Sequence, residues 1–500
     1  MNTIIKNVTI YDGLGSIPFI SNLYIKEGKI LKISIHEDDN CNIIIDGEGL
    51  AVCPGFIDVH SHSDLEIFKE VKLNYAIRQG ITTEVIGQDG ISAAPCNEKV
   101  KEYLYDKVMT FSGKTEDKRV WENFKEYKKS ISDSMYSGKV ENLLGHGTAR
   151  MLVSNDQNRK LTENELEEIK KIVRKSMIDG AIGMSFSLIN SPSSFGDEDE
   201  IVELCKVISE YDGIGMMYFG DEQNLLLESI DLLARIGRKS NARMHISQLK
   251  AVGNRNSGKM KLALEKIDKY VNEGIEISYD CYPYIAINSP LDILLGKSSS
   301  DINEIFEKED LYINAIKEVD SNIESYGGEE NIIITSCLNN SCFIGKRLKE
   351  IRNQMGICSS EVILKLLKED NNALALFFAM SNSDLETLLK HPLLCLCTDG
   401  IISDFPHPRV YGAFPRALGN YAVKMNLFPL EEIIRKMTSE PARKLRLWDR
   451  GILREGMSAD IVLFNPGEIR DGNSYINPKN YPIGIKAVWV DGIMKYADLK

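Results

Sequence analysis

No run of apolar residues in this 500-residue chain approaches the 18 or more that a membrane-spanning helix needs, which argues against a membrane protein of that kind. No CxxC pair occurs among the ten cysteines, and their irregular spacing does not read as a disulfide framework. No basic stripe with interleaved aromatics is present, so nucleic acid is not an expected partner. The first 25 residues lack a basic start, an unbroken apolar stretch and a small-residue cleavage site, so a cytoplasmic protein is expected. Positive charge is in deficit, with 60 Lys and Arg against 73 Asp and Glu, a formal charge of −13 that gives a solvated acidic surface. What is present is a chain 43% hydrophobic and 27% charged, able to bury a large core and neither disordered nor collagen-like.

The two ends share one texture. Residues 2–11, 22–35 and 43–46 are short β-type runs separated by turn-forming clusters, and 459–465 and 485–496 repeat the pattern with an Asp-Gly turn at 491–492. The simplest arrangement joins residues 1–52 and 441–500 into one small β-domain, a β-sandwich, flanking a central domain at 53–440. There, apolar strands are predicted at 56–60, 82–87, 142–146, 181–187, 214–219, 242–248, 275–281 and 393–398. Helical patterns such as 162–178, 197–211 and 222–239 separate most of them. Strands alternating with helices imply a parallel sheet, and eight such units predict an α/β fold of the (β/α)8 TIM-barrel type over an open doubly wound sheet. The gap from 283 to 392 is far longer than an ordinary crossover. It contains serines at 298–300, an acidic stretch at 301–310 and a strand-like piece at 332–337, and an inserted subdomain is expected at about 285–345.

Two features carry chemistry. His60-Ser61-His62 closes the first predicted strand in PGFIDVHSHSD; residues i and i+2 share a face, so both imidazoles point to one side at the end where barrel enzymes keep their chemistry. Such a pair is a signal for a metal. Thr398-Asp399-Gly400 ends the eighth strand, and a carboxylate there has to reach the barrel mouth, because burial in the wall is too costly.

The motifs PGFIDVHSHSD, GITTEVIGQDGISAAP, GHGTAR, GAIGMSFSLINSP, ISQLKAVG, DCYPY, HPRVYGAFPRALG and MTSEPARKLRLWDRGILREGMSADIVLFNP follow in an order that resembles the D-aminoacylase (N-acyl-D-amino-acid deacylase) branch of the amidohydrolase superfamily. The resemblance covers nearly the whole chain. It implies a metal-dependent barrel of the amidohydrolase type, an insertion after the seventh strand and hydrolysis of the amide of an N-acyl-D-amino acid.

Three positions depart from that pattern. Family members hold a tightly bound zinc with Cys, His and His where this chain has Asp89, Tyr218 and Gln248, and the arginine of the strand-five motif aligns with Gly220. A neutral amide oxygen is a weak ligand and a phenol with a pKa of ~10 must lose its proton to bind well, so that tight site is expected to be absent. His245, three residues before Gln248, is expected to face the helices, because an odd offset changes face. His60, His62 and Asp399 are left as ligands for one divalent ion, zinc first, with iron(II) or manganese as alternatives and no organic cofactor. Asp89 is a fourth ligand or a general base, and the resemblance gives Asp399 the proton-transfer role. It likewise assigns Lys250, Tyr282 and Arg409 to a substrate carboxylate, with Tyr218, Gln248 and His146 facing the substrate. Asn190 and Ser191 suggest a polar acyl pocket.

The expected function is a single-metal amidohydrolase acting on an N-acyl (D-)amino acid or related carboxylate-bearing small molecule. The alternative is a non-hydrolytic homologue, either a ligand-binding pseudoenzyme or a changed reaction using Tyr218 and Asp89 as acid and base. The sequence gives no oligomeric state.

Overall fold

A computed structural model describes residues 2–36, 41–69, 75–112, 115, 118–298, 302–338, 340–403 and 405–499. The eight central strands form one parallel sheet in barrel order: Phe56–Asp58, Ile81–Ile86, Lys139–Gly145, Gly183–Ser187, Ile214–Tyr218, Arg243–Ser247, Ile277–Cys281 and Leu394–Leu396. The ring is nearly closed beyond the strand ends, where Ser61 bridges Gly400 and the Asp399 N–H donates to the His60 carbonyl at 2.9 Å. The strands read as continuous apolar runs because both faces are covered: Leu144, Phe186, Met216, Met217 and Ile246 are all inaccessible to solvent. Each such side chain contributes roughly 1.5–3 kcal/mol relative to exposure. The helices between them begin at encoded caps. Thr162 and Glu165 form a reciprocal capping box on Glu163–Ile178, and Asp197 caps Glu198–Ser209.

Both chain ends enter a separate eight-stranded sheet, in which Ile461–Phe464 pairs with Ala51–Pro54. An isolated bridge between Lys29 and Ser458 brings its far parts together around a core of Ile5, Leu23, Ile30, Leu463 and Trp489.

The insertion is larger than expected. Its three-stranded antiparallel sheet joins Ile287–Pro290 and Ile332–Ser336 to a central strand, Leu374–Phe377, that lies beyond residue 345. The third strand belongs there because it pairs with both others, a non-local relation that the local pattern does not reveal. Ser299 and Ser300 of the serine stretch and Asp301 of the acidic stretch lie outside the described residues. Among the described residues no disulfide joins any of the ten cysteines, and no helix is long and apolar enough to cross a membrane.

Candidate metal and substrate site

His60 and His62 follow the first barrel strand with ring centroids 5.2 Å apart, and both are buried. Asp89 and Asp399 reach them from beyond the second and eighth strands, each on a left-handed backbone (φ 54° and 48°) that turns the carboxylate inward. His60 Nε2 lies 3.6 Å from Asp89 Oδ1 and 3.7 Å from Asp399 Oδ1; His62 Nε2 lies 3.6 Å from Asp89 Oδ2 and 3.3 Å from Asp399 Oδ1. Ligating atoms of His60, His62 and Asp89 all fall within 4.8 Å of one another.

Asp89 Oδ1 and Asp399 Oδ1 are buried and accept no hydrogen bond. Two buried carboxylates with an oxygen each unsatisfied, facing imidazole nitrogens, are what a cation would complete. Donors about 2.0–2.2 Å from a shared ion in a tetrahedron stand roughly 3.3–3.6 Å from one another, close to the four imidazole–carboxylate separations found here. The residues present therefore fit a divalent ion with N and O ligands.

Asp280, which the sequence reading did not single out, orders the cluster from beneath. Its carboxylate lies 3.3 Å from His60 Nδ1 and 3.0 Å from His245 Nε2, and accepts the Gln248 backbone N–H at 2.8 Å. A carboxylate on Nδ1 selects the tautomer that leaves Nε2 facing the cluster. Burial opposes ionisation of Asp280, yet His60 and His245 hold its carboxyl well below the usual range. Burial likewise disfavours a charged His60, and Asp280 and Asp89 outweigh it, raising the imidazole well above its ordinary pKa. For Asp399 burial acts upward, but Arg409, 2.7 Å away, and the two histidines keep the carboxyl low.

The placement of His245 corrects the odd-offset argument. It shares Asp280 with His60 and so lies within the barrel wall's inner network, because Gln248 stands beyond the strand on a left-handed backbone (φ 56°) where alternation no longer applies.

A cavity adjoins the cluster, lined by Tyr218, Glu222, Gln248, Lys250, Tyr282 and Arg409 from the barrel and roofed by insertion residues such as Asn288, Ile293 and Tyr326. The Arg409 guanidinium lies 4.4 Å over the Tyr282 ring. Arg409 Nε and the Tyr282 hydroxyl are buried and make no hydrogen bond, so both can donate to an anion. His407, also missed, receives the Arg409 backbone N–H at 2.9 Å and anchors itself on the Ala286 carbonyl at 3.0 Å.

Lys250 is placed differently from the carboxylate role expected for it. Its ammonium donates to Glu222 Oε1 (2.5 Å), Gln248 Oε1 (3.0 Å) and the Gln248 carbonyl (3.3 Å), which uses all three of its donors. Burial, with Asp399 and Asp89 nearby, raises Glu222 to about 7 despite Lys250. Burial, then Glu222, Asp89 and Asp399, keep the Tyr218 phenol protonated.

His146 belongs to another network. Its Nδ1 meets Ser193 Oγ at 3.0 Å and its Nε2 meets Glu200 Oε1 at 2.7 Å, while Arg150 Nη1 donates to both Glu200 oxygens at 2.6 Å. Both ring nitrogens are occupied and the residue does not line the cavity, so it is not placed to meet a substrate. Asn190 and Ser191 are also absent from the lining; Ile189 takes that wall, packed where any side chain at Gly220 would collide with it at 2.1 Å.

Comparison with known proteins finds relatives along nearly the whole chain. The amidohydrolase family model matches residues 353–494. D-aminoacylase of Alcaligenes xylosoxydans xylosoxydans is 29% identical over 488 residues, covering 97% of this chain and 92% of the relative. N-acyl-D-aspartate deacylase of the same organism is 28% identical, covering 98% and 91%. The crystal structure of N-acyl-D-glutamate deacylase from Bordetella bronchiseptica, complexed with zinc and a phosphonate mimic of the tetrahedral intermediate, superimposes with a TM-score of 0.85 at 26% identity, covering 99% of this chain and 96% of that one. In the barrel, its insertion and nearly the whole chain length, the protein resembles the N-acyl-D-amino-acid deacylases of the amidohydrolase superfamily.

Proposed function

We propose that this chain hydrolyses a C–N bond other than a peptide bond, the amide of an N-acyl-D-amino acid, with one divalent ion held by His60, His62, Asp89 and Asp399. The observation that carries this reading is the pair of buried, unsatisfied carboxylate oxygens facing the two imidazoles. Zinc suits the nitrogen and oxygen donors and is present in the related deacylase structure. When bound, such an ion polarises a carbonyl and lowers the pKa of water to ~7.

The protein's own groups supply the rest. Arg409 Nε and the Tyr282 hydroxyl receive the substrate carboxylate, the planar guanidinium giving direction as well as charge. Asp399, ionised and held by Arg409 through its other oxygen, takes a proton from the water that attacks the acyl carbon. It returns that proton to the leaving nitrogen as the C–N bond breaks, so one water yields a carboxylate and an amine. Protonated Tyr218 and the amide of Gln248 are poor ligands, which supports one ion rather than two.

Elemental analysis of the purified protein, followed by a hydrolysis screen across N-acyl-D- and L-amino acids with and without chelator, tests this. One ion per chain and chelator-sensitive release of a D-amino acid are expected. Two tightly bound ions would make Tyr218 or Gln248 a ligand, and ligand binding without turnover would overturn the hydrolase.

A further inference from the structure

Gln248 lines the cavity and also reaches the imidazole–carboxylate cluster. The direction of its carboxamide follows from Lys250, because an ammonium only donates and the amide atom 3.0 Å from Nζ must therefore be the carbonyl oxygen. The NH2 group then faces the cluster, 3.4 Å from Asp89 Oδ2 and 3.4 Å from His60 Nε2. Both are long, weak hydrogen bonds, so an acceptor placed closer to the NH2 would displace them. The residue is fixed on every other side: its backbone N–H is held by Asp280, its carbonyl and side-chain oxygen by Lys250, and Lys250 by Glu222. Its left-handed backbone is a strained arrangement of the kind that surrounding structure must enforce.

We propose that the Gln248 NH2 donates a hydrogen bond to the acyl oxygen of the substrate and stabilises the negative charge that develops there as the carbon becomes tetrahedral. Lys250 and Glu222 are positioning residues that keep the donor end of the amide forward. The proposal rests on the hydrolase reading and adds an electrophilic group to it. A donor oriented before the reaction needs no reorganisation during it, so its effect falls on the chemical step.

The test uses the full-length protein with Gln248→Met, Lys250→Met and the double variant. Two readouts are taken: kcat and KM for an N-acetyl-D-amino acid, and dissociation constants for a phosphonate mimic of the tetrahedral intermediate and for the free D-amino acid. Gln248→Met is expected to lower kcat about 100-fold with KM within about threefold, and to weaken the phosphonate in proportion. Its metal content and its affinity for the free amino acid should match wild type. Lys250→Met should act in the same direction through a misdirected amide, and the double variant should lose less than the two losses combined. An unchanged kcat, a loss confined to KM or a fall in metal content would overturn the proposal. If the wild type hydrolyses nothing yet prefers the phosphonate, and Gln248→Met abolishes that preference, the hydrolase reading fails and the donor stands. If hydrolysis is present and indifferent to Gln248→Met, the donor alone fails.

Discussion

His60 and His146 are both wholly buried, both stand just beyond barrel strands and both face carboxylates, yet only around His60 are carboxylate oxygens left unsatisfied. Glu200, beside His146, gives both oxygens to one arginine and a third contact to the imidazole, so its carboxylate is balanced and satisfied by protein groups alone. Around His60, Arg409 pairs with Asp399 alone, and one oxygen each of Asp89 and Asp399 accepts no hydrogen bond. A buried histidine–carboxylate contact does not by itself mark a candidate site; an unbalanced one is the better guide.

That contrast can be broken by experiment. Asp399→Asn should lower kcat about 1,000-fold, as steady-state kinetics would show, and should also lower the melting temperature, because it leaves buried Arg409 without its partner. Removing the ion should come next: at a free concentration 1,000 times its Kd, the ion contributes about 4 kcal/mol to stability, and chelator should erase it in wild type but not in His60→Ala. Glu200→Gln should destabilise by about 3 kcal/mol, because it leaves Arg150 buried without its partner, while metal content by elemental analysis stays unchanged. Tyr282→Phe should have the smallest energetic effect, about a fivefold loss of affinity for a carboxylate ligand measured by calorimetry and none for its amide analogue.

Acidity sharpens the comparison further. Burial raises Glu84 from 4.5 to about 7, partly offset by the hydroxyls of Ser61 and Ser63. Glu222 is likewise raised to about 7. Both bind more protons folded than unfolded, so the stability they contribute is present below about pH 4.5 and is lost as the pH rises through about 7. The thermal midpoint of the metal-free protein should therefore fall between pH 5 and pH 8. A rise over that interval would mean that these carboxyls are ionised in the fold.

Much of this architecture was legible because parallel barrel strands are continuous apolar runs bounded by polar turns, and all eight fall within a few residues of their expected positions. His60, His62 and Asp399 were legible because each ends such a strand. The rest depended on partners distant in sequence. Asp280 is one aspartate among many until it is seen beneath His60, although its place inside DCYPY at a strand end was a usable signal. Glu222 emerges only when Lys250 closes on it. His245 was misassigned because face alternation was counted through a residue outside the strand, and the central strand of the insertion was missed because its partners lie far away along the chain.

Asp89, Gln248 and Asp399 share one trait: each bends the chain with the same handedness just as it leaves the barrel. The path of each loop is then written in the backbone, while the group displayed at its apex is a separate choice. A scaffold made this way can trade a thiolate for a carboxylate, or an imidazole for an amide, without redrawing the loops that carry them.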